Sequence, residues 1–416
     1  MEPSKPAGDQ SPAAVMPRRV RILFVDDEAQ VLNILSLAMR PMAREWETHF
    51  TDNGANALKL VAEKPFDVIV SDMRMPGMNG AQLLNQVMRE HPHTVRIILS
   101  GYSDLREAMS CVGIAHQFLH KPCNLADLKN CIRRVTQLGV KLDNDDLLSL
   151  AARLSSLPSA PDLYLQMIEA LESPDATTQR IAEIASKDPA LSAKLLQLSN
   201  SAFFGFGREV CTVEEAVQQL GVSIIQSLAL AVPMFAHFDP DKCPSFPLEQ
   251  IWHHSEQTGL YARWIARDGL GDAQVAEQAF AAGVLHDIGK LILADQLPGE
   301  YSTILAESRS LNAPLFDVER RVLGATHADI GAYLLTLWGL PLPLVEGVAY
   351  HHEPQLFSGT GFSLIGAVHI ANILEREQAD HDHVIISEID THYLEMAGVA
   401  NKIESWREHF KNGAAG

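Results

Sequence analysis

Polar residues capable of joint chemistry close apolar runs in the first third of the sequence: Asp26 and Asp27 in FVDDE, Asp72 in VIVSDMRMPGMNG, Ser100 in IILSGY and Lys121 in FLHKP. Clustered carboxylates repel one another, and their natural counter-ion is a hard divalent cation such as Mg²⁺, held by one or two carboxylates, a carbonyl and waters. Beside such a cation Asp72 could attack phosphorus as a carboxylate nucleophile. Lys121 would neutralise the equatorial oxygens, and Ser100 would hydrogen-bond the new phosphoryl group. Any one of these aspartates could instead only cap a helix. The whole set in order argues for the chemistry.

The apolar runs before these residues have strand length. The stretches between them, 29–40, 54–63, 80–90, 103–112 and 125–137, repeat apolar residues at three and four, as amphipathic helices do. The alternation predicts an α/β doubly wound, five-stranded parallel sheet with helices on both faces. In such sheets polar chemistry gathers beyond the carboxyl ends of the strands, which puts all five residues on one rim. From about 147 to 410 the strand signals almost vanish, and an all-α half is expected. Asp188-Pro189 and the pair Thr212 and Glu215 mark helix starts, and Gly221 marks an end. Pro158 and Pro161 are expected to separate short helices, and Leu191, Leu195 and Leu198 form an apolar stripe typical of a core.

The length of 416 residues suits two or three domains. A net charge of −19 argues against nonspecific nucleic-acid or anionic-membrane binding. The five cysteines, Cys111, Cys123, Cys131, Cys211 and Cys243, form no CxxC pair, so a reduced cytoplasm is the expected compartment and packing their expected role. Residues 1–17 are a flexible tail by composition, 139–146 a linker and 411–416 a second tail. The longest apolar stretch, around 222–238, is too short to span a bilayer.

Over residues 18–138 these motifs resemble the receiver domain of two-component response regulators, a flavodoxin-like fold. The resemblance implies that Asp72 is the phosphoacceptor, with Asp72 and Lys121 as the catalytic pair. Asp26, Asp27, Asp72 and the Arg74 backbone carbonyl would hold Mg²⁺, and Ser100, Phe118 and Lys121 would be the switch residues. It also implies a histidine kinase or phosphotransfer protein as partner. Phe118 could equally be a packed strand aromatic.

Residues 147–410 resemble an HDOD domain, through LSSLPSAPDL, SKDPALSAKLLQLSNSAFFGF, VEEAVQQLGV, AGVLHDIGK, THADIGAYLL and WGLP. HDOD domains are relatives of the HD metal-dependent phosphohydrolases. Their metal positions are matched here by His254 in WHHS, His286 and Asp287 in LHDIGK, His327 in THADIG, and His351 and His352 in YHHE. Lys290 matches the HDxGK lysine, a candidate catalytic group. Imidazoles sharing a carboxylate suit Fe, Mn, Zn or Ni, and an open coordination position could activate water against a phosphoester.

Two departures oppose turnover. Asn372 stands where active relatives carry a final aspartate, and Gln250 where two-metal relatives carry a glutamate, with Glu249 facing elsewhere on the helix. GTGF follows YHHE in place of a GYP signature. The same histidines could persist as a hydrogen-bonded core network. His253 is expected on a helix surface. His49, His91, His93, His116, His120, His369, His381, His383 and His392 match no ligand pattern and are expected mostly to be solvated or singly hydrogen-bonded.

The sequence therefore points to a cytoplasmic response regulator. By the receiver resemblance, phosphorylation of Asp72 would alter the surface of roughly 103–137 and control an HDOD output, through pairing as a homodimer or docking across the linker. That output would be an interaction module for a downstream signalling protein or a nucleotide-binding module. The alternative is a receiver-controlled, metal-dependent phosphohydrolase acting on nucleotides or cyclic dinucleotides. No basic recognition helix suggests DNA binding.

Overall fold

The computed structural model describes residues 19–101, 113–122, 124–137, 147, 150–152, 154, 157–159, 161–173, 175–201, 209–231, 235–237, 239, 241–359, 361–378 and 389–411. The amphipathic stretch 103–112, the tail 1–17, the linker 139–146, residues 412–416, and Cys111, Cys123, His381 and His383 lie outside the described residues.

The first half runs β1 (Val20–Val25), α1 (Ala29–Met39), β2 (Trp46–Thr51), α2 (Gly54–Glu63), β3 (Val68–Asp72), α3 (Gly80–Glu90), β4 (Val95–Ser100), β5 (Gln117–His120) and α4 (Leu125–Gln137). The five strands are all parallel, in the order β2-β1-β3-β4-β5. The central strands are buried on both faces, so their Val, Ile, Leu and Phe residues run continuously without alternating with polar ones. Asn53 caps α2 by accepting from the Asn56 amide at 2.8 Å. Asn79 and Gln82 form a capping box at α3.

The second half is largely helical: α5 (Pro161–Glu172), α6 (Thr178–Ala185), α7 (Pro189–Asn200), α8 (Val213–Leu220), α9 (Val222–Ala231), α10 (Leu248–Leu270), α11 (Ala273–Leu285), α12 (Ile288–Gln296), α13 (Pro298–Leu311), α14 (Leu315–Leu323), α15 (His327–Leu337), α16 (Leu342–Ala349), α17 (Leu364–Gln378), α18 (Thr391–Ala397) and α19 (Ile403–Lys411). The expected cap at Asp188 is present, and of the capping box expected from Thr212 and Glu215 the structure shows the bond from the Glu215 amide to Thr212 Oγ1 at 3.2 Å. The expectation of an all-helical half needs one correction. Short strands β6 (Leu157–Ser159) and β7 (Phe235–His237) pair in parallel. Three residues are too few for alternation to be read from a sequence. Pro158, expected between helices, lies inside β6, and Pro161 instead opens α5. The core of this half is the packing of α10 against α11 and α17, and of α15 against α12 and α16. Among the described residues, no helix is long and apolar enough to cross a membrane.

The halves meet at the amino ends of β4 and β5. Arg96, fully buried, donates to the carbonyls of Ile114 at 2.7 Å and Ala152 at 2.6 Å. His116 accepts from the Arg96 amide at 3.0 Å, so its Nε2–H donates to Ala152 O at 2.9 Å. It is therefore a buried junction residue with two bonds, against the expectation of a solvated one. Gln117 Nε2 donates to Leu337 O, the last residue of α15, at 2.6 Å. On the helical side Lys194 lies under the Trp338 ring, 4.9 Å from its centroid.

Burial lowers Lys194 to about 7, whereas an unfolded lysine titrates near ~10.4. Between these values the unfolded chain binds the extra proton, so stability should rise with pH across that window. In urea melts at a series of pH values Lys194→Met should flatten this rise. An unchanged slope would place the Lys194 ammonium in a solvated environment.

Candidate functional site

The rim of the sheet gathers the five residues. Asp72 and Ser100 end their strands, and Asp26 and Lys121 follow β1 and β5 directly. The carboxylates of Asp26, Asp27 and Asp72 bring ligand atoms within 4.8 Å of one another. Lys121 Nζ bridges the set, 2.6 Å from Asp26 Oδ2 and 2.6 Å from Asp72 Oδ1. Three carboxylates against one ammonium leave two negative charges over, and the donors are all oxygen. That balance suits a hard divalent ion. Arg74 lies exposed two residues beyond Asp72.

Burial raises the pKa of Asp72, with repulsion from Asp26 adding to it, against the hydrogen bond from Lys121. For Lys121 burial acts downward, but Asp26 and Asp72 outweigh it and raise the pKa. Ser100 Oγ is buried with no hydrogen-bond partner, and Phe118 packs in the core at 1% exposure. A buried hydroxyl left unpaired is costly, and here it ends the strand that pairs with the one carrying Asp72. The helix that follows is held close by Gly80: a Cβ there would lie 2.2 Å from the Asp72 carbonyl oxygen.

The second cluster lies in the helical half. His254 comes from α10, and His286 and Asp287 from the break between α11 and α12. His327 is the first residue of α15, His351 and His352 follow α16, and Asn372 lies on α17. All the residues expected at this site converge. His254, His286 and Asp287 form one group with ligand atoms within 4.8 Å, and Asp287, His327, His351 and His352 form another. The turn that presents His286 and Asp287 depends on Gly289, where a Cβ would meet His327 O at 1.9 Å.

Four imidazoles are oriented by their Nδ1 atoms. His286 Nδ1–H donates to Gly283 O at 2.6 Å and His351 Nδ1–H to Val348 O at 2.7 Å. His327 Nδ1 bonds Glu319 at 2.6 Å, and His254 Nδ1 bonds Glu375. A carbonyl only accepts, so His286 and His351 carry their protons on Nδ1 and point Nε2 lone pairs inward. Nε2 atoms then face each other, His254 and His286 at 3.2 Å and His327 and His352 at 2.9 Å. Ring nitrogens this close require a proton or a cation between them. This orientation through Nδ1 is the arrangement that metal-binding histidines adopt.

Burial holds His254, His351 and His352 well below the usual histidine range. At His327 burial is outweighed by Glu319 and Asp287, and the pKa rises. Burial also acts to raise Asp287, but the neighbouring cationic groups hold it well below the usual carboxylate range.

Several partners of this cluster are not marked by any spacing in the sequence. Glu319 on α14 accepts from His327 Nδ1, from the His327 amide at 2.8 Å and from Tyr301 Oη at 2.9 Å. Glu375 and Arg376 lie on α17 one turn beyond Asn372. Arg376 Nε donates to Asn372 Oδ1 at 3.1 Å, and its Nη2 lies 3.4 Å from Asp287 Oδ2. Lys290 Nζ sits 2.5 Å from the same oxygen. His369 is buried and bonded to His351 O at 2.8 Å and to the Asp390 amide at 3.4 Å, which supports the loop bearing His351. It therefore differs from the solvated or singly bonded role expected of it. Gln250, Glu249 and His253 are exposed, outside the cluster.

A cavity of about 100 Å³ opens beside the cluster, lined by Lys290, His327, His352, Asn372 and Arg376 together with apolar residues such as Phe316. A larger groove of about 930 Å³ runs from His352 to the first half, where Asn130, Arg133 and Arg134 of α4 form its wall.

Tyr301→Phe should lower stability by about 1–3 kcal/mol, because it leaves the buried Glu319 carboxylate one donor short. Chemical denaturation measures this, and a neutral result would mean that water replaces the phenol.

Family comparison adds an independent line. Residues 22–133 match the response regulator receiver domain and residues 157–354 match the HDOD domain. An uncharacterised protein of Treponema pallidum (strain Nichols) is 28% identical over 231 residues, 55% of this chain and 44% of its own length. The regulatory protein AtoC of Escherichia coli (strain K12) is 34% identical over 119 residues, 28% of this chain and 25% of its own. The chain thus spans less than half the length of either curated relative. Among solved structures, the MmoQ response regulator of Methylococcus capsulatus str. Bath is similar at 22% identity with a TM-score of 0.48, covering 61% of this chain and 97% of that one.

Proposed function

Because the chain carries a response regulator receiver domain followed by an HDOD output domain, we propose that it is a cytoplasmic two-component regulator phosphorylated on Asp72. The donor is a histidine kinase or phosphotransfer protein. The observation that supports this reading best is the Lys121 ammonium held between Asp26 and Asp72 beside the unpaired Ser100 hydroxyl.

An Asp72 carboxylate oxygen attacks the donor's phosphorus, and the donor's imidazole nitrogen leaves with the electron pair of the broken P–N bond. Mg²⁺, when bound by Asp26, Asp27, Asp72 and the Arg74 carbonyl, supplies charge neutralisation to the phosphoryl oxygens. Lys121 then shifts part of its charge from Asp72 to the phosphoryl group, and Ser100 Oγ donates to it. Both residues sit at the carboxyl ends of β4 and β5. At the other ends of these strands stand Arg96, His116 and Gln117, which bond the helical half. Gln117 holds the last residue of α15, and the first residue of α15 is His327. One strand and one helix therefore span the distance between the two centres. A shift of β5 or Phe118 on phosphorylation would move α15 and the wall that α4 gives to the groove.

The output in this reading is a module that binds a partner protein or a nucleotide ligand without hydrolysing it. Asn372 supplies a neutral oxygen where hydrolysis would need an anion, and Arg376 occupies the charge of Asp287. The converging imidazoles favour the alternative, a phosphohydrolase switched by the receiver, and the same preparation decides between them.

With acetyl phosphate and Mg²⁺ the wild type should gain one acid-labile phosphoryl group, and Asp72→Ala none. Equal labelling of the variant would refute the assignment of Asp72. Cyclic dinucleotides and nucleoside phosphates should bind without turnover or not bind at all. Turnover that disappears in Asp287→Ala would establish the hydrolase instead.

A further inference from the structure

The two oxygens of the Asp287 carboxylate face different surroundings. Oδ2 is already met by protein cations, Lys290 Nζ at 2.5 Å and Arg376 Nη2 at 3.4 Å. His286 Nε2 at 3.3 Å and His254 Nε2 at 3.7 Å lie on this same side. Oδ1 faces His327 Nε2 at 3.2 Å and His351 Nε2 at 3.8 Å, and it accepts no well-formed hydrogen bond. His351 Nε2 is likewise buried without a partner. Its Nδ1–H is committed to Val348 O, so the unpaired atom is a lone pair aimed at the carboxylate.

Resting on the reading of this cluster as a cation site, we infer that it holds a single divalent transition-metal ion. The ligands are Asp287 Oδ1 and the Nε2 atoms of His327, His351 and His352, and Lys290 with Arg376 exclude a second ion from the His254 and His286 side. The four ligand residues can place donor atoms within 4.8 Å of one another. Three imidazoles and one carboxylate select a borderline first-row ion such as Zn²⁺ over Mg²⁺ or Ca²⁺. Glu319 on His327 and the Val348 carbonyl on His351 supply the outer hydrogen bonds that such ligands use. On the opposite side a dication would have to enter against an ammonium and a guanidinium. There the Asn372 oxygen is neutral and already bonded to Arg376.

Full-length protein stripped with a chelator, loaded with Zn²⁺ and desalted should retain about one equivalent by elemental analysis. His254→Ala should keep that ion. His351→Ala and His352→Gln should lose it, and Glu319→Gln should weaken binding roughly 10–100-fold in a competition titration with a chromogenic chelator. The double variant Asn372→Asp with Arg376→Ala should take up a second equivalent. Far-UV circular dichroism checks that each variant is folded, and His352→Gln, at the half-buried rim, serves if His351→Ala is not. Two ions in the wild type, or loss of the ion in His254→Ala with retention in His351→Ala and His352→Gln, would overturn the one-sided site. No ion in either the wild type or the double variant would instead remove the cation-site reading beneath it.

Discussion

A carboxylate buried away from water has to be met by positive charge, and this requirement organises both centres of the chain. The effective penalty of burying such an ion unmatched is several kcal/mol, comparable with the roughly 5–15 kcal/mol that holds a whole domain folded. Asp26 and Asp72 share the Lys121 ammonium. Asp287, entirely inside the helical half, is ringed by Lys290, Arg376 and inward-facing imidazoles. In the first centre the compensation is partial, and the negative charge left over suits a divalent cation. In the second, one oxygen is compensated and the other is not.

The backbone that carries these carboxylates is as constrained as their charges. Gly80 lets α3 rest on the Asp72 carbonyl, and Gly289 lets α12 rest on that of His327. In each case a methyl group would push a functional residue out of place. The two centres are therefore built on helix starts pressed against the segments that bear the reactive groups. Such packing passes on small displacements because a close-packed interior has little room to absorb them.

The junction gives these displacements a route. Arg96, His116 and Gln117 commit side-chain hydrogen bonds to the helical half from the ends of strands whose other ends carry Ser100 and Lys121. Burying the Arg96 guanidinium there lowers its pKa to about 9, a cost met by four carbonyl contacts around it. The groove beside His352 shares this dependence, since α4 of the first half forms one of its walls.

Much of the fold was legible in the sequence, because periodicity and strand-end polarity are local properties. The five parallel strands, the helices at 54–63, 80–90 and 125–137, and the caps at Asp188 and Thr212 all follow from such patterns. The first-centre residues and the histidines were legible too, through motifs that keep residue type and spacing together. Glu319, Glu375, Arg376 and Tyr301 were not, because each meets its histidine or carboxylate across helices with no fixed interval between them. The strands β6 and β7, three residues each, lay below any readable period, and His116 and His369 gave no sign that burial would fix their partners. The residue types alone determined that carboxylates and imidazoles were available. Only the tertiary structure decided which oxygen of Asp287 meets a lysine and an arginine and which meets imidazole nitrogens alone, because that depends on how distant helices pack.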